Sequence, residues 1–187
     1  MWAYVKNSQV VRLYNRPTAL TIGGLQYPAN IFSSWTTSAL KDIGIYSYSE
    51  TGKGRTDYYT NSGPVYTVDD SAGTVTGTYT PTAKDLTETK EAEIVTIKST
   101  VASKLQPTDW MVIKANEVAG NTVPSVYATY RSDVRAKGNA LETSVNDAAD
   151  IDAIITLHTS TYHANGSINV LASMQDWPTD PDAPQDV

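Results

Sequence analysis

Through the first eighty residues apolar and polar positions alternate in short runs broken by turn formers, the period-2 signature of half-buried strands. Residues 2–5 and 10–14 flank Lys6-Asn7-Ser8-Gln9 and predict an opening hairpin. A second hairpin, over 19–22 and 25–27, straddles Gly23-Gly24, a dipeptide suited to positive φ. Residues 35–44 shift to helical spacing, and Gly44 is placed to end that short helix. Alternation returns at 45–48, and a polar, glycine-containing loop covers 50–55. Runs at 65–68 and 75–79 then pair across Asp69-Asp70-Ser71-Ala72-Gly73.

At Pro81 the period changes to 3.6. Thr82 with Asp85 fits a capping box, and Leu86, Ile94, Ile97, Val101 and Leu105 recur on one face. They predict a helix over 82–105, stopped by Gln106-Pro107. Residues 109–113 read as a short apolar extended run. Pro124 suits the first turn of a second long helix, whose apolar face is Tyr127, Tyr130, Val134, Leu141 and Val145, with Gly138 interrupting it. Asp150 caps a third, short helix carrying Ile151, Ile154 and Ile155. Asn165-Gly166 predicts a last hairpin between 159–163 and 167–171. The expected class is α+β. A β-rich module of short antiparallel strands spans 1–80, a helical hairpin module spans 81–158, and a hairpin with an extended tail spans 159–187.

Composition sharpens this picture in two places. Twelve Tyr and four Trp stand against a single Phe, so most aromatic area carries a polar atom that wants a partner. The absence of Cys excludes disulfide scaffolds, iron–sulfur sites, a Cys nucleophile and Cys-based zinc sites. The opening residues show no basic stretch followed by an apolar one, and no apolar run reaches the roughly 20 residues of a membrane helix. A soluble chain with no membrane partner is expected.

Net charge is −6 and unevenly spread. Residues 1–80 hold six Lys/Arg against five Asp/Glu, residues 81–158 hold eight against eleven, and residues 159–187 hold none against four. No basic stripe forms, so nucleic acid is not an expected partner. The end of the chain, Pro178-Thr179-Asp180-Pro181-Asp182-Ala183-Pro184-Gln185-Asp186-Val187, has too little apolar area to offset its own ordering entropy. Docking along a neighbouring subunit is therefore expected, with Trp177 as the apolar anchor and Asp180, Asp182 and Asp186 meeting basic groups. The alternative is that the tail lies across its own domain.

The candidate chemistry is sparse. His158 and His163 are five apart and lack the His-Glu-x-x-His pattern, so they read as polar residues at a strand entrance. No Gly-x-Ser-x-Gly elbow singles out a nucleophile. Gly52-Lys53-Gly54-Arg55 lacks the upstream glycine and following hydroxyl of a phosphate loop. Glu88, Glu91 and Glu93 suit the start of a helix, and Asp69-Asp70 suits a turn. The expectation is a protein without catalytic residues, cofactor or metal.

Two stretches carry a resemblance. The first holds Trp2-Ala3-Tyr4-Val5, Gln26-Tyr27-Pro28-Ala29-Asn30-Ile31-Phe32, Trp35 and Leu40-Lys41-Asp42-Ile43-Gly44-Ile45-Tyr46. The second holds Leu105-Gln106-Pro107-Thr108-Asp109-Trp110-Met111-Val112, then Val123-Pro124, Tyr130-Arg131 and Val134-Arg135. Together they resemble small proteins encoded with the tail genes of tailed bacteriophages. The second is also similar to the C-terminal region of tail fibre and tail fibre assembly proteins, a module that recurs on several kinds of tail protein. The resemblance implies a structural protein of the virion tail, fibre-associated or an adaptor seating fibres, present in multiple symmetric copies with other tail proteins and assembled in the host cytoplasm. An assembly chaperone and a capsid decoration protein are the alternatives, and a fibre depolymerase comes after them. Within the motif, Asp109 is expected to pair with Arg131 or Arg135, and Trp110 to be buried beside Leu105, Tyr130 and Val134 between the two long helices.

Overall fold

Residues 1–183 are described by the computed structural model, in which β1 (Trp2–Lys6) turns back into β2 (Gln9–Tyr14) through Asn7 and Ser8, both at positive φ. Pairing runs Tyr4 to Arg12 and then Val5 to Val10, so Val11 is an extra residue on β2. A small hairpin, β3 (Leu20–Ile22) and β4 (Leu25–Tyr27), closes through Gly23 and Gly24 at φ 59° and 84°. The helix expected over 35–44 is present in shortened form, preceded by a separate turn of helix that the spacing did not predict. α1 (Ile31–Ser34) ends at Trp35, whose backbone is extended, and α2 (Thr37–Asp42) starts behind Thr36, which accepts from the Ala39 N–H at 3.2 Å. Gly44 ends this stretch at φ 80°, where a Cβ would stand 2.6 Å from the Val5 carbonyl oxygen.

β5 (Ile45–Thr51), β6 (Tyr59–Asp69) and β7 (Thr74–Ala83) complete a five-stranded sheet in the order β2-β1-β5-β7-β6. The expected all-antiparallel arrangement needs correction, because β5 and β7 run parallel and the sheet is mixed. The reason lies in the burial patterns. β7 brings fully buried Val75 beside buried Tyr48, whereas no residue of β6 is buried. The hairpin therefore docks by its second strand. The edges β2 and β6 also approach each other, so the sheet curls. One face gathers Ala3, Val5, Tyr46, Tyr48 and Val75, with Val10 and Val68 against them. The other packs Tyr14 and Ile45 on Leu20, Ile31, Phe32 and Leu40.

These elements form one unit, Met1–Ala83, and the chain from Lys84 onward forms a second, with the last hairpin and tail belonging to the helices. In the second unit α3 (Leu86–Leu105) starts later than expected, because Thr82 still belongs to β7. Asp85 is the cap, accepting from the Glu88 N–H at 2.9 Å. A 3₁₀ turn (Gln106–Thr108) leads into α4 (Asp109–Glu117), so the extended run expected at 109–113 is helical. Pro107 occupies the first positions of that turn, where its missing N–H removes no bond, so α3 ends at Leu105 as expected and a new helix starts directly behind it. α5 (Ser125–Asp147) follows Pro124, and α6 (Ile151–Leu157) is capped by Asp150 accepting from Ala153 N–H at 2.8 Å. β8 (Thr161–Tyr162) and β9 (Ile168–Val170) form the closing hairpin.

α3 and α5 meet through Ile97, Leu141 and Val145. Gly138 lies buried in this contact, and a Cβ on it would stand 2.5 Å from Val101 Cγ2. The glycine that interrupts the helical pattern is what lets the two helices approach. Among the described residues no helix is long and apolar enough to cross a membrane.

Candidate functional site

The motif residues Thr108, Asp109, Tyr130 and Arg131 meet where α3 gives way to α4. A helix end leaves its last carbonyls without partners and carries partial negative charge. Here the Leu105 carbonyl accepts from Arg131 Nη1 at 2.8 Å and from Thr108 Oγ1 at 2.9 Å, and the Lys104 carbonyl accepts from the Tyr130 hydroxyl at 3.4 Å. Arg131 Nη1 also donates to Thr108 Oγ1 at 2.6 Å, and Nη2 donates to Asp109 Oδ1 at 2.8 Å. Asp109 sits in the first turn of α4, where a negative charge suits the other end of a helix dipole. One guanidinium therefore satisfies the close of α3 and the opening of α4 together. It is buried, while its carboxylate partner remains half exposed.

Of the two arginines expected to compete for Asp109, Arg131 makes the pair. Arg135 is exposed and lines a groove beside Val101 and Gly138. Trp110 requires correction, because it is 56% exposed and not core. Helical backbone at 109–117 turns its side chain outward, with Lys114 Nζ 6.0 Å from the ring centroid. The aromatic anchor of the helix pair is Trp177. It packs against the cluster of Ile97, Leu141 and Val145, donates from Nε1 to the Met174 carbonyl at 2.9 Å, and has Lys104 Nζ at 5.7 Å from its ring.

The acidic tail accordingly lies along its own unit. Asp176 pairs with Lys137 at 3.3 Å, Asp182 Oδ1 accepts from the Tyr127 hydroxyl at 2.7 Å, and Asp180 Oδ1 accepts from the Asp182 N–H at 2.9 Å. The bond to Asp182 holds the Tyr127 phenol above its usual pKa, and burial, with a smaller part from the Asp180 charge, raises that of Tyr130. These contacts are those of the second expected arrangement, the tail across its own domain: α3 and α5 supply the apolar seat of Trp177, Lys137 a cation for Asp176 and Tyr127 a hydroxyl for Asp182. Asp186 lies outside the described residues. The composition of the tail hid this, because its partners Tyr127, Lys137 and Lys104 are distant in sequence. The visible signal was one tryptophan in an otherwise polar segment.

Beyond the tail contacts the hairpin stands open. Every residue of β8 and β9 is exposed, and Tyr162, Ile168 and Val170 show 64%, 54% and 59% of their surface. His158 and His163 flank β8 without sharing a site. His158 Nε2 lies 3.1 Å from Glu93 Oε2, and the His163 N–H donates to the Ser167 carbonyl at 2.8 Å. Among the described residues no three His, Asp or Glu side chains are grouped to hold a metal ion.

In the first unit the paired acids of the β6–β7 turn serve the fold. Asp69 Oδ1 accepts from the Ser71 hydroxyl and from the N–H groups of Ser71 and Ala72. Asp70 receives the Ser8 hydroxyl at 2.6 Å and the Tyr46 hydroxyl at 2.8 Å, tying together the two turns at the ends of the curled sheet. Both carboxyls lie below the usual Asp range because of these donors, the Ser71 hydroxyl first for Asp69 and the Ser8 hydroxyl first for Asp70. Burial pushes the Tyr48 phenol up to about 12, and its bond to Glu50 adds to the shift. The Gly52–Arg55 segment is a folded loop, held by Asn61, whose amide both donates to and accepts from the Gly54 backbone.

Comparison with family models, with curated proteins and with solved structures finds no match to this chain.

Proposed function

We propose that this chain is a non-enzymatic structural protein of a bacteriophage virion, associated with the tail fibres or joining them to the tail. It would assemble in the host cytoplasm and sit in several symmetric copies against other tail proteins. The resemblance of the 105–135 motif suggests this class. The observation that carries the reading furthest is the open hairpin. A two-stranded ribbon with neither face covered is marginal in water, and contiguous exposed apolar surface marks a protein contact. Residues 153–175 hold no Asp, Glu, Lys or Arg in a chain of net charge −6, so a partner meets this surface without charge repulsion. The motif residues themselves support an architectural role, because Thr108, Asp109 and Arg131 are engaged in joining helices.

Mass spectrometry of purified particles tests the proposal, with immunogold labelling to place the protein. Stoichiometric amounts on the tail are expected. Absence from mature particles overturns it in favour of an assembly chaperone, and labelling of the head favours a decoration protein. Ile168→Asp gives a second arm. It leaves the melting temperature within about 2 °C, as an exposed substitution should, and removes the protein from particles.

A further inference from the structure

A cleft of about 710 Å³ opens in the first unit between β2 and the β3–β4 hairpin, lined by Arg12, Tyr14, Thr18, Thr21, Gln26 and Tyr27 among others. Three features of this cleft point to a ligand. The first is the bulge. Because Val11 is an extra residue, Val10 faces the inner cluster with Val5, while Arg12 returns to the face of Tyr14. Bulges commonly re-aim a side chain in this way beside functional sites. The second is the fixing of the guanidinium. Arg12 lies over the Tyr14 ring at 5.3 Å from its centroid, Tyr14 is itself packed on Phe32 at 5.9 Å, and Arg12 makes no ion pair among the described residues. It is a positioned cation without a carboxylate.

The third feature is charge. The chain has net charge −6, yet no Asp or Glu occurs before Asp42, and Lys6, Arg12 and Arg16 fall in the first sixteen residues. The segment that builds the cleft thus lies in an acid-free stretch that carries these three cations. Thr21 and Gln26, directly paired on the hairpin, line the same cleft together with Thr18. Tyr27 is held by Trp35 set edge-on at 5.8 Å. A planar cation, neutral hydrogen-bonding groups and fixed aromatic rings together suit a ligand with a carboxylate, several hydroxyls and apolar ring faces. The volume lies within the usual range for ligand pockets, roughly 300–1,000 Å³, and exceeds what one sugar ring fills.

We infer that this cleft binds an acidic oligosaccharide, with the uronic carboxylate on Arg12 and a sugar ring against Tyr27. The inference is independent of the role proposed above. Isothermal titration of the full chain with a hyaluronan hexasaccharide (alternating glucuronate and N-acetylglucosamine) tests it, beside the neutral chitin hexasaccharide and sodium sulfate. Saturable binding of the acidic sugar is expected, at least tenfold tighter than the neutral one. Arg12→Gln weakens it by about tenfold or more, the effect of one lost charged hydrogen bond, and Arg12→Lys recovers only part, because the fork is gone. Tyr27→Ala weakens both sugars. Arg12 is exposed, so both of its variants keep the parent melting temperature. Equal affinity for the two sugars, no binding of the acidic one, an unchanged Arg12→Gln, or displacement by sulfate at comparable concentration would each overturn the inference.

Discussion

Replacing Arg131 with Met isolates the joint between α3 and α4. Methionine keeps much of the aliphatic stem and removes the guanidinium, so the loss is chiefly that of its polar contacts. Three are removed, to the Leu105 carbonyl, to Thr108 Oγ1 and to Asp109 Oδ1. The partners are left in unequal states. The Leu105 carbonyl keeps the Thr108 hydroxyl as donor, and half-exposed Asp109 returns to water. The buried Thr108 hydroxyl loses its donor but still donates to the Leu105 carbonyl, so no buried polar atom is left without a bond, and the penalty is the net worth of the charged bonds, about 2–4 kcal/mol. Asp109→Ala removes one bond from the exposed side and costs about 1 kcal/mol, as half-exposed pairs do. The test is urea unfolding of the full chain followed by circular dichroism at 222 nm, which reads the helices. Parent and variants should share one slope and differ in midpoint. A loss below about 0.5 kcal/mol for Arg131→Met would reduce the joint to an ordinary surface pair. An Asp109→Ala loss equal to that of Arg131→Met would show that the ion pair, and not the carbonyl bond, holds it.

Two further outcomes follow from other contacts. Gly138→Ala destabilises by about 1–3 kcal/mol despite the better helix propensity of Ala, because the new Cβ meets Val101 Cγ2. Adding Val101→Ala restores part of the loss, and strictly additive melting shifts in the four-member cycle would rule out the contact. In the first unit, the folded state holds Asp70 below the ordinary carboxylate range, so the unfolded chain takes up its proton first as pH falls. The stabilisation is full at neutral pH, declines below the usual Asp value of about 4, and is gone once the folded carboxyl protonates. Asp70→Asn should flatten that limb of the urea-midpoint profile between pH 7 and pH 3, and parallel profiles for parent and variant would contradict the argument.

Local rules reach far in this chain. Period 2 before Pro81 and period 3.6 after it separate the sheet from the helices, and glycine pairs and acidic caps mark turns and helix starts by chemistry confined to neighbours. Gly23-Gly24 and Asp150 do in the structure what their residue types dictate. The Asp109–Arg131 pair was legible too, though the choice between Arg131 and Arg135 was not, because both lie near the same turn of α5 and only burial separates them. Two of the errors share one cause. Residues 109–113 look extended by composition, but Pro107 and Asp109 build a new helix on the end of α3, and with the backbone helical Trp110 turns to solvent. Tertiary structure alone supplies the rest. The parallel pairing of β7 with β5 depends on which strand of a hairpin can bury its side chains. The seat of Trp177 exists only once α3 and α5 have closed over Gly138. The Arg12 cleft is invisible in the alternation pattern, because a single extra residue at Val11 reverses which side chains share a face, and such a bulge is defined by the partner strand rather than by its own sequence.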